Sequence, residues 1–479
     1  MSIVGREREM SELRFYQDTD KSEFVALYGR RRIGKTFLVR EMFREEFAFS
    51  HTGLSPYDTR SKIGRTEQLE HFYHSLLEYG IEESTCPTTW LEAFYMLEQL
   101  LTDKSNGKKQ IVFIDELPWM DTQGAGFVTA LEAFWNGWAV DKNIYLIVCG
   151  SATSWMLNNL INNKGGLYNR LSAEIHLSAF TLRECEAFFS QRGLKISRYD
   201  IVQAYMLFGG IPYYLDKFRK GLSLAQNVDS ILFAHHSRLS GEFERLFGSL
   251  FQKPEKYIDI IRLLSKRRYG YTREEIIKHL DLKSGAGLSK ILLALESSEF
   301  IVKYKAFDAQ RNETLYRLSD AYCIAYLTFL DNNRNIDEQF WQHSQNSPYI
   351  NTWRGLAFEN VCMEHIRQIK QSLGISGVLS EESVWTLRGK NTTKGTQVDL
   401  VMSRKDNVVN MCEIKFSTSE YKISDEYEMV IRNRISALSE RLRATQVVHV
   451  TFITTFGVSQ NAHSGIIQNV LTLNDLFSC

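Results

Sequence analysis

No run of about 20 apolar residues occurs in this sequence, so no transmembrane helix is expected. Its seven cysteines form no CxxC pair, and their odd number argues against a disulfide framework. Cys149, in YLIVCG, has the apolar surroundings of a small core residue. Net charge is absent too: 57 Lys and Arg balance 57 Asp and Glu. No global field then draws the molecule to DNA or to an anionic membrane, and nucleic-acid binding requires local basic patches. Prolines number only six, and no internal repeat or low-complexity segment stands out. The opening MSIVGREREM is charged from Arg6 on, unlike a signal peptide. Together these absences suggest a reducing cytoplasm.

What is present is an ordinary globular composition, 44% hydrophobic and 24% charged over 479 residues, with room for two to four domains. Residues 1–180 alternate short apolar strands with amphipathic helices, the pattern of an α/β fold with a parallel sheet. EFVALYG (23–29), QIVFID (110–115) and IYLIVCG (144–150) read as its buried strands. Residues 181–250 carry apolar side chains at helical spacing. Residues 251–335 run through three helical segments, EKYIDIIRLLSK, TREEIIKHL and GLSKILLALESSEF, then IVKYKAF and TLYRLS about a polar turn. Three helices followed by a two-stranded wing is the order of a winged helix. Residues 345–479 form a last α/β unit, opened by the helix GLAFENVCMEHIRQI.

The first strand leads into GRRRIGKT, residues 29–36, at the start of a helix. Gly29, Gly34, Lys35 and Thr36 fill the phosphate-loop pattern, with Arg30, Arg31, Arg32 and Ile33 between them. Glycines let backbone amides curl around phosphate oxygens, and the helix N-terminus adds a favourable dipole. Lys35 is expected to reach the β- and γ-phosphates and Thr36 to offer its hydroxyl to Mg²⁺, so ATP and Mg²⁺ are the expected cofactors. QIVFIDELPWM then ends a strand in Asp115–Glu116. Asp115 can hold Mg²⁺ through water, and Glu116 can deprotonate the attacking water; alone, the pair would read as a helix cap. Ser151, in CGSATSW, stands where a polar side chain senses a γ-phosphate, with a plain serine turn as its rival. Arg170 precedes a further strand and is either an arginine finger or a solvated loop residue.

These stretches, with LYNRLSAEIHLSAFT, LFGGIPYYL and the N-terminal IVGRERE (3–9), resemble the archaeal-type AAA+ ATPases related to the STAND signalling class. The resemblance implies that Val4 and Arg6 lie near the adenine, and that Gly209, Gly210, Pro212, Tyr214 and Leu215 form a turn of a helical lid over 181–250. It implies a winged helix and a C-terminal PD-(D/E)XK nuclease-like domain, with a possible homo-oligomer. Asn169 stands where the family usually has glycine.

In the winged-helix segment Lys266, Arg267, Arg268, Lys283, Lys290, Lys303, Lys305 and Arg311 could neutralise DNA phosphates; a packing role is the alternative. Near the C-terminus, QVDLVMSRKDNVVNMCEIKF places Asp399 in one apolar strand and Glu413 and Lys415 on one face of the next. A carboxylate in such a strand is costly unless paired or metal-bound. If the strands form a hairpin, Asp399 and Glu413 can bind Mg²⁺ while Lys415 steadies the developing phosphorane charge. Glu359 adds the helix-borne acid that the resemblance implies. A buried Asp–Lys pair without catalysis is the rival. The expected function is therefore an ATP-hydrolysing, DNA-associated protein with a metal-dependent C-terminal nuclease. The alternatives are a nucleotide-dependent switch that binds DNA or protein without cleavage and, further off, a small-molecule kinase.

Overall fold

The computed structural model describes residues 2–55, 63–122, 124–251, 253–282, 285–307, 314–331, 337–387 and 396–478. Lys283 and Arg311 lie outside them. The chain divides into two compact units. The first comprises residues 1–179 with two short later segments, 244–257 and 289–298; the second comprises 180–243, 258–288 and 299–479.

The first unit is built on strands β1 (Glu23–Tyr28), β2 (Phe47–Thr52), β3 (Gln110–Asp115), β4 (Ile144–Gly150) and β5 (Ala173–His176). They form one wholly parallel sheet in the order β2-β3-β4-β1-β5. A parallel sheet is covered on both faces, which is why β3 and β4 read as continuous apolar runs: every residue of both is buried. Helices Trp90–Asp103 and Phe127–Gly137 supply Trp90, Phe94, Phe127 and Phe134 to the core on one side. Thr89 caps the first of them, accepting from the Glu92 amide. Since β4 lies between β1 and β3, the tips of all three strands stand side by side, and they carry Gly29–Thr36, Ser151 and Asp115–Glu116.

The second unit holds helices Leu182–Gln191 and Arg198–Phe208 and two sheets. The smaller sheet, β6 (Tyr271–Thr272), β7 (Ile301–Lys305) and β8 (Thr314–Leu318), is antiparallel in the order β6-β8-β7. It has three strands where the sequence suggested two, because Tyr271 and Thr272 pair with Tyr316 and Leu315. The larger sheet contains β9 (Ser380–Leu387), β10 (Thr396–Arg404), β11 (Val408–Lys415), β12 (Val447–Thr454) and β13 (Asn469–Leu471) in sequential order. β9, β10 and β11 pair antiparallel; β11, β12 and β13 pair parallel. Helix Pro348–Glu364 lies against β11, and helix Asp425–Ser439 against β10 and β12. The smaller sheet meets the larger at its edge, where the Phe307 amide donates to the Val384 carbonyl.

Candidate active sites

The nucleotide site is set by backbone geometry. Gly29 has φ +142° and Gly34 φ +92°; a Cβ on Gly29 would fall 2.2 Å from the Leu177 carbonyl oxygen. Arg32 also takes a left-handed φ of 74°, so the loop turns sharply around residues 29–34. Helix Lys35–Phe43 starts there, anchored by buried Leu38, Val39 and Phe43. Ile33 is buried, and the Arg31 guanidinium lies over the Trp119 ring.

Within this loop the Lys35 ammonium donates to the Gly29 and Arg30 carbonyls, at 2.9 Å each. Burial lowers its pKa, against the raising effect of Glu116 and Asp115. The Thr36 hydroxyl donates to Asp115 Oδ2 at 2.9 Å. Asp115 is raised to about 6 by burial and by its neighbour Glu116, the Thr36 bond acting the other way. Glu116 has a left-handed φ of 47° and stands at the start of the short helix Leu117–Met120 without a side-chain cap bond to it. Its carboxylate accepts from the Ser151 hydroxyl at 2.8 and 2.9 Å and from the Ser151 amide at 3.1 Å. Ser151 and Glu116, given separate tasks on the sequence, are thus one hydrogen-bonded pair.

Three other expected residues sit differently. Arg6, itself at φ 66°, donates to the Ser178 carbonyl at 2.6 Å and so ties the N-terminal segment to the end of β5. Val4 is half-buried beside it. Arg170 is exposed in the loop before β5, and Asn169 takes the left-handed φ of 56° that a glycine would adopt more freely. Cys149 is fully buried, its thiol pKa pushed up by burial.

Residues 3–218 match a family model described as an ATPase domain predominantly from Archaea. The chain is a P-loop ATPase. The match takes in the ATPase loop, Asp115–Glu116, Ser151 and the Gly209–Leu215 turn. An uncharacterized protein of Methanocaldococcus jannaschii is 24% identical to this ATPase over 421 residues, 86% of this chain and 87% of that protein. The Walker-type ATPase of Pyrococcus abyssi is similar in structure, with TM-score 0.51 and 21% identity over 68% of this chain and 96% of its own. That likeness speaks for the fold. A third similar structure, the ORC2 protein of Aeropyrum pernix, has TM-score 0.40 and 14% identity over 68% and 94% of the two chains.

The second cluster of acids lies in the C-terminal sheet of the ATPase chain. Leu400 pairs with Cys412 across β10 and β11, which brings Asp399 and Glu413 to the same level of adjacent strands. Asp399 lies within β10, beside a register shift between Val398 and Val401 that frees it from regular pairing. The Lys415 ammonium is 3.8 Å from Asp399 and 3.5 Å from Glu413. Glu359, from helix Pro348–Glu364, joins them through a shared partner: one guanidinium nitrogen of Arg268 contacts Glu359 and lies 3.5 Å from Asp399. All four expected residues therefore converge.

Sequence reasoning missed the groups around them. Glu413, with 0% of its surface exposed, accepts from the Tyr427 hydroxyl at 2.6 Å and is ion-paired with Arg434. Burial disfavours the charge on Arg434, yet the Glu413 carboxylate holds its pKa above the ordinary value. Burial, with Glu413, raises that of Tyr427. Arg268, expected to face DNA phosphates, turns to carboxylates instead, while its neighbour Arg267 pairs with Glu275 at 2.6 Å. Lys266, Lys290, Lys303 and Lys305 are exposed. The basic run at 266–268 was the one visible sign of these partners.

Proposed function

We propose that this ATPase is an AAA+ protein associated with DNA, and that its C-terminal sheet carries a metal-dependent phosphodiester-cleaving site. The convergence of Glu359, Asp399, Glu413 and Lys415 from one helix and two adjacent strands carries this reading. A helical segment with a small antiparallel sheet at 251–335, taken as a winged helix, supports DNA association, as do exposed Lys290, Lys303 and Lys305. The free cysteines suit a reducing cytoplasm.

The donor sets fit a divalent cation. In the ATPase site, the Thr36 hydroxyl bonded to Asp115 is an oxygen pair suited to Mg²⁺ beside the nucleotide. In the C-terminal site, Asp399 and Glu413 would hold the metal and Glu359 would support it. Such an ion supplies charge stabilisation to a reacting phosphoryl group. The chain's own groups do the rest. Loop amides and Lys35 bind the phosphates, Val4 and Arg6 stand on the adenine side, and Glu116 takes the proton of the attacking water. Ser151 orients Glu116. Exposed Arg170 is available to a neighbouring copy in a homo-oligomer. Lys415 steadies negative charge on the cleaved phosphodiester.

A second reading has its own support. The C-terminal acids are already balanced by arginines, as in a nucleotide-dependent switch that binds DNA or protein without cutting. Incubating plasmid with the protein and Mg²⁺ or Mn²⁺, with and without ATP, beside Asp399→Ala, separates the two. Cutting lost in the variant supports the first reading; plasmid intact under every condition supports the second.

A further inference from the structure

Arg268 stands between the helix-borne acid and the strand-borne acid of the C-terminal site, contacting Glu359 and lying 3.5 Å from Asp399. That is the position between carboxylates which a bound cation takes. The turn that brings it there is fixed in three ways. Tyr269 donates its hydroxyl to the Gln397 side chain, which donates in turn to Asp399 at 3.3 Å. The Tyr304 hydroxyl donates to the Tyr269 carbonyl at 2.7 Å. Gly270, at φ +74°, runs so close to β8 that a Cβ would fall 1.9 Å from the Tyr316 carbonyl oxygen. Arg268 is therefore delivered by a built turn.

Charge accounting gives the consequence. The carboxylates of Glu359, Asp399 and Glu413 carry three negative charges, and Arg268, Lys415 and Arg434 carry three positive ones. A divalent ion entering this set meets no net attraction and must displace a guanidinium from partly buried acids. With Arg268 withdrawn, the set is one unit negative and the gap between Glu359 and Asp399 opens.

We propose that Arg268 is a resident cation that competes with the divalent metal for Glu359 and Asp399 and keeps the C-terminal site shut. This rests on reading that site as a metal site. The anion that draws Arg268 away is the phosphodiester backbone, which accepts a guanidinium through two parallel hydrogen bonds; exposed Lys266 stands two residues away. Metal uptake and nucleic-acid binding are then linked, each strengthening the other.

Isothermal titration of the full-length protein with Mn²⁺, without nucleotide, tests this. Arg268→Ala is expected to bind Mn²⁺ at least about tenfold more tightly than wild type, the gain from losing one partly buried pair. Arg268→Lys falls between them. Adding Asp399→Asn removes the part of the heat that belongs to this site in every background. A short DNA duplex raises the affinity of wild type and leaves that of Arg268→Ala unchanged. ATP turnover, to which Arg268 does not contribute, reports folding; if Arg268→Ala loses it, Arg268→Lys carries the comparison. Equal Mn²⁺ affinity in wild type and the arginine variants, with heat still dependent on Asp399, overturns the competition and leaves the metal site standing. An equal effect of DNA on wild type and Arg268→Ala overturns the linkage. No Asp399-dependent heat in any variant overturns the metal-site reading, and the proposal with it.

Discussion

Two places in this chain gather acids and a lysine at neighbouring strands, and they treat the acids in opposite ways. At the end of β3, Asp115 and Glu116 are held by hydroxyls, Thr36 and Ser151. Neither forms an ion pair among the described residues. In β10 and β11, Asp399 and Glu413 are held by cations, as is Glu359. A hydroxyl satisfies a carboxylate's hydrogen-bonding capacity without cancelling its charge, so the first pair stays negative toward an incoming ion. A guanidinium cancels the charge, so the second set is neutral until a partner is moved. The same residue types thus make one site ready and the other restrained.

The largest test of this contrast removes the charge each site needs. Lys35→Ala is expected to lower ATP turnover by about 100- to 1000-fold, as loss of a preorganised transition-state donor does. Glu116→Gln should lower turnover by a similar factor while ATP still binds, measured by nucleotide binding beside phosphate release. Normal hydrolysis in either variant refutes these roles. At the other site, Asp399→Ala should abolish plasmid cleavage and leave ATP turnover at its wild-type rate, since the acid belongs to the C-terminal site alone.

Stability sharpens the comparison next. Arg434→Met leaves Glu413 buried beside a lost partner and should cost about 3 kcal/mol in denaturant unfolding. Ser151→Ala removes a neutral hydroxyl and should cost about 1 kcal/mol, while slowing turnover about tenfold through misplacement of Glu116. Equal losses of stability would erase the distinction between charge-held and hydroxyl-held acids.

A smaller effect concerns pH. His365 accepts from the Leu182 amide at 3.1 Å and bonds the Val361 carbonyl at 2.8 Å, and burial lowers its pKa to about 4. His51, in β2, is lowered to about 3 by burial and by His71. Both are folded as neutral rings. At these two positions the unfolded chain therefore binds more protons below about pH 6.5, and what they contribute to stability is lost as pH drops from there towards 4, against the opposite contribution of Asp115 and Glu364, whose pKa values burial raises to about 6 and about 7. For His365 the loss is about 3 kcal/mol over that window. In unfolding midpoints measured from pH 7 to 4, wild type should lose ground relative to His365→Gln as pH falls.

What the sequence made legible was local. Gly29–Thr36 and Asp115–Glu116 each occupy one strand end, and the apolar runs around them declare the strands. Asp399, Glu413 and Lys415 could be brought together on paper because strand side chains alternate and a short hairpin connects them. The partners that restrain these acids could not, since Tyr269, in the turn before β6, and Gln397, in β10, are 128 residues apart in sequence and only tertiary folding joins them. Arg434 sits on a helix whose rotation over the sheet no periodicity specifies. The Ser151–Glu116 bond was hidden for a related reason: strand order, with β4 between β1 and β3, decides which tips are neighbours.

The hydrogen bond from the Phe307 amide to Val384 has a practical consequence for dissecting this molecule. β9 is the last strand on its side of the larger sheet, and a bare strand of that kind offers its amides and carbonyls to any other chain. A fragment cut to begin at residue 345 would lose the segment that shields this rim. Such fragments should stick together rim to rim, so the C-terminal domain is better studied with residues 251–335 still attached.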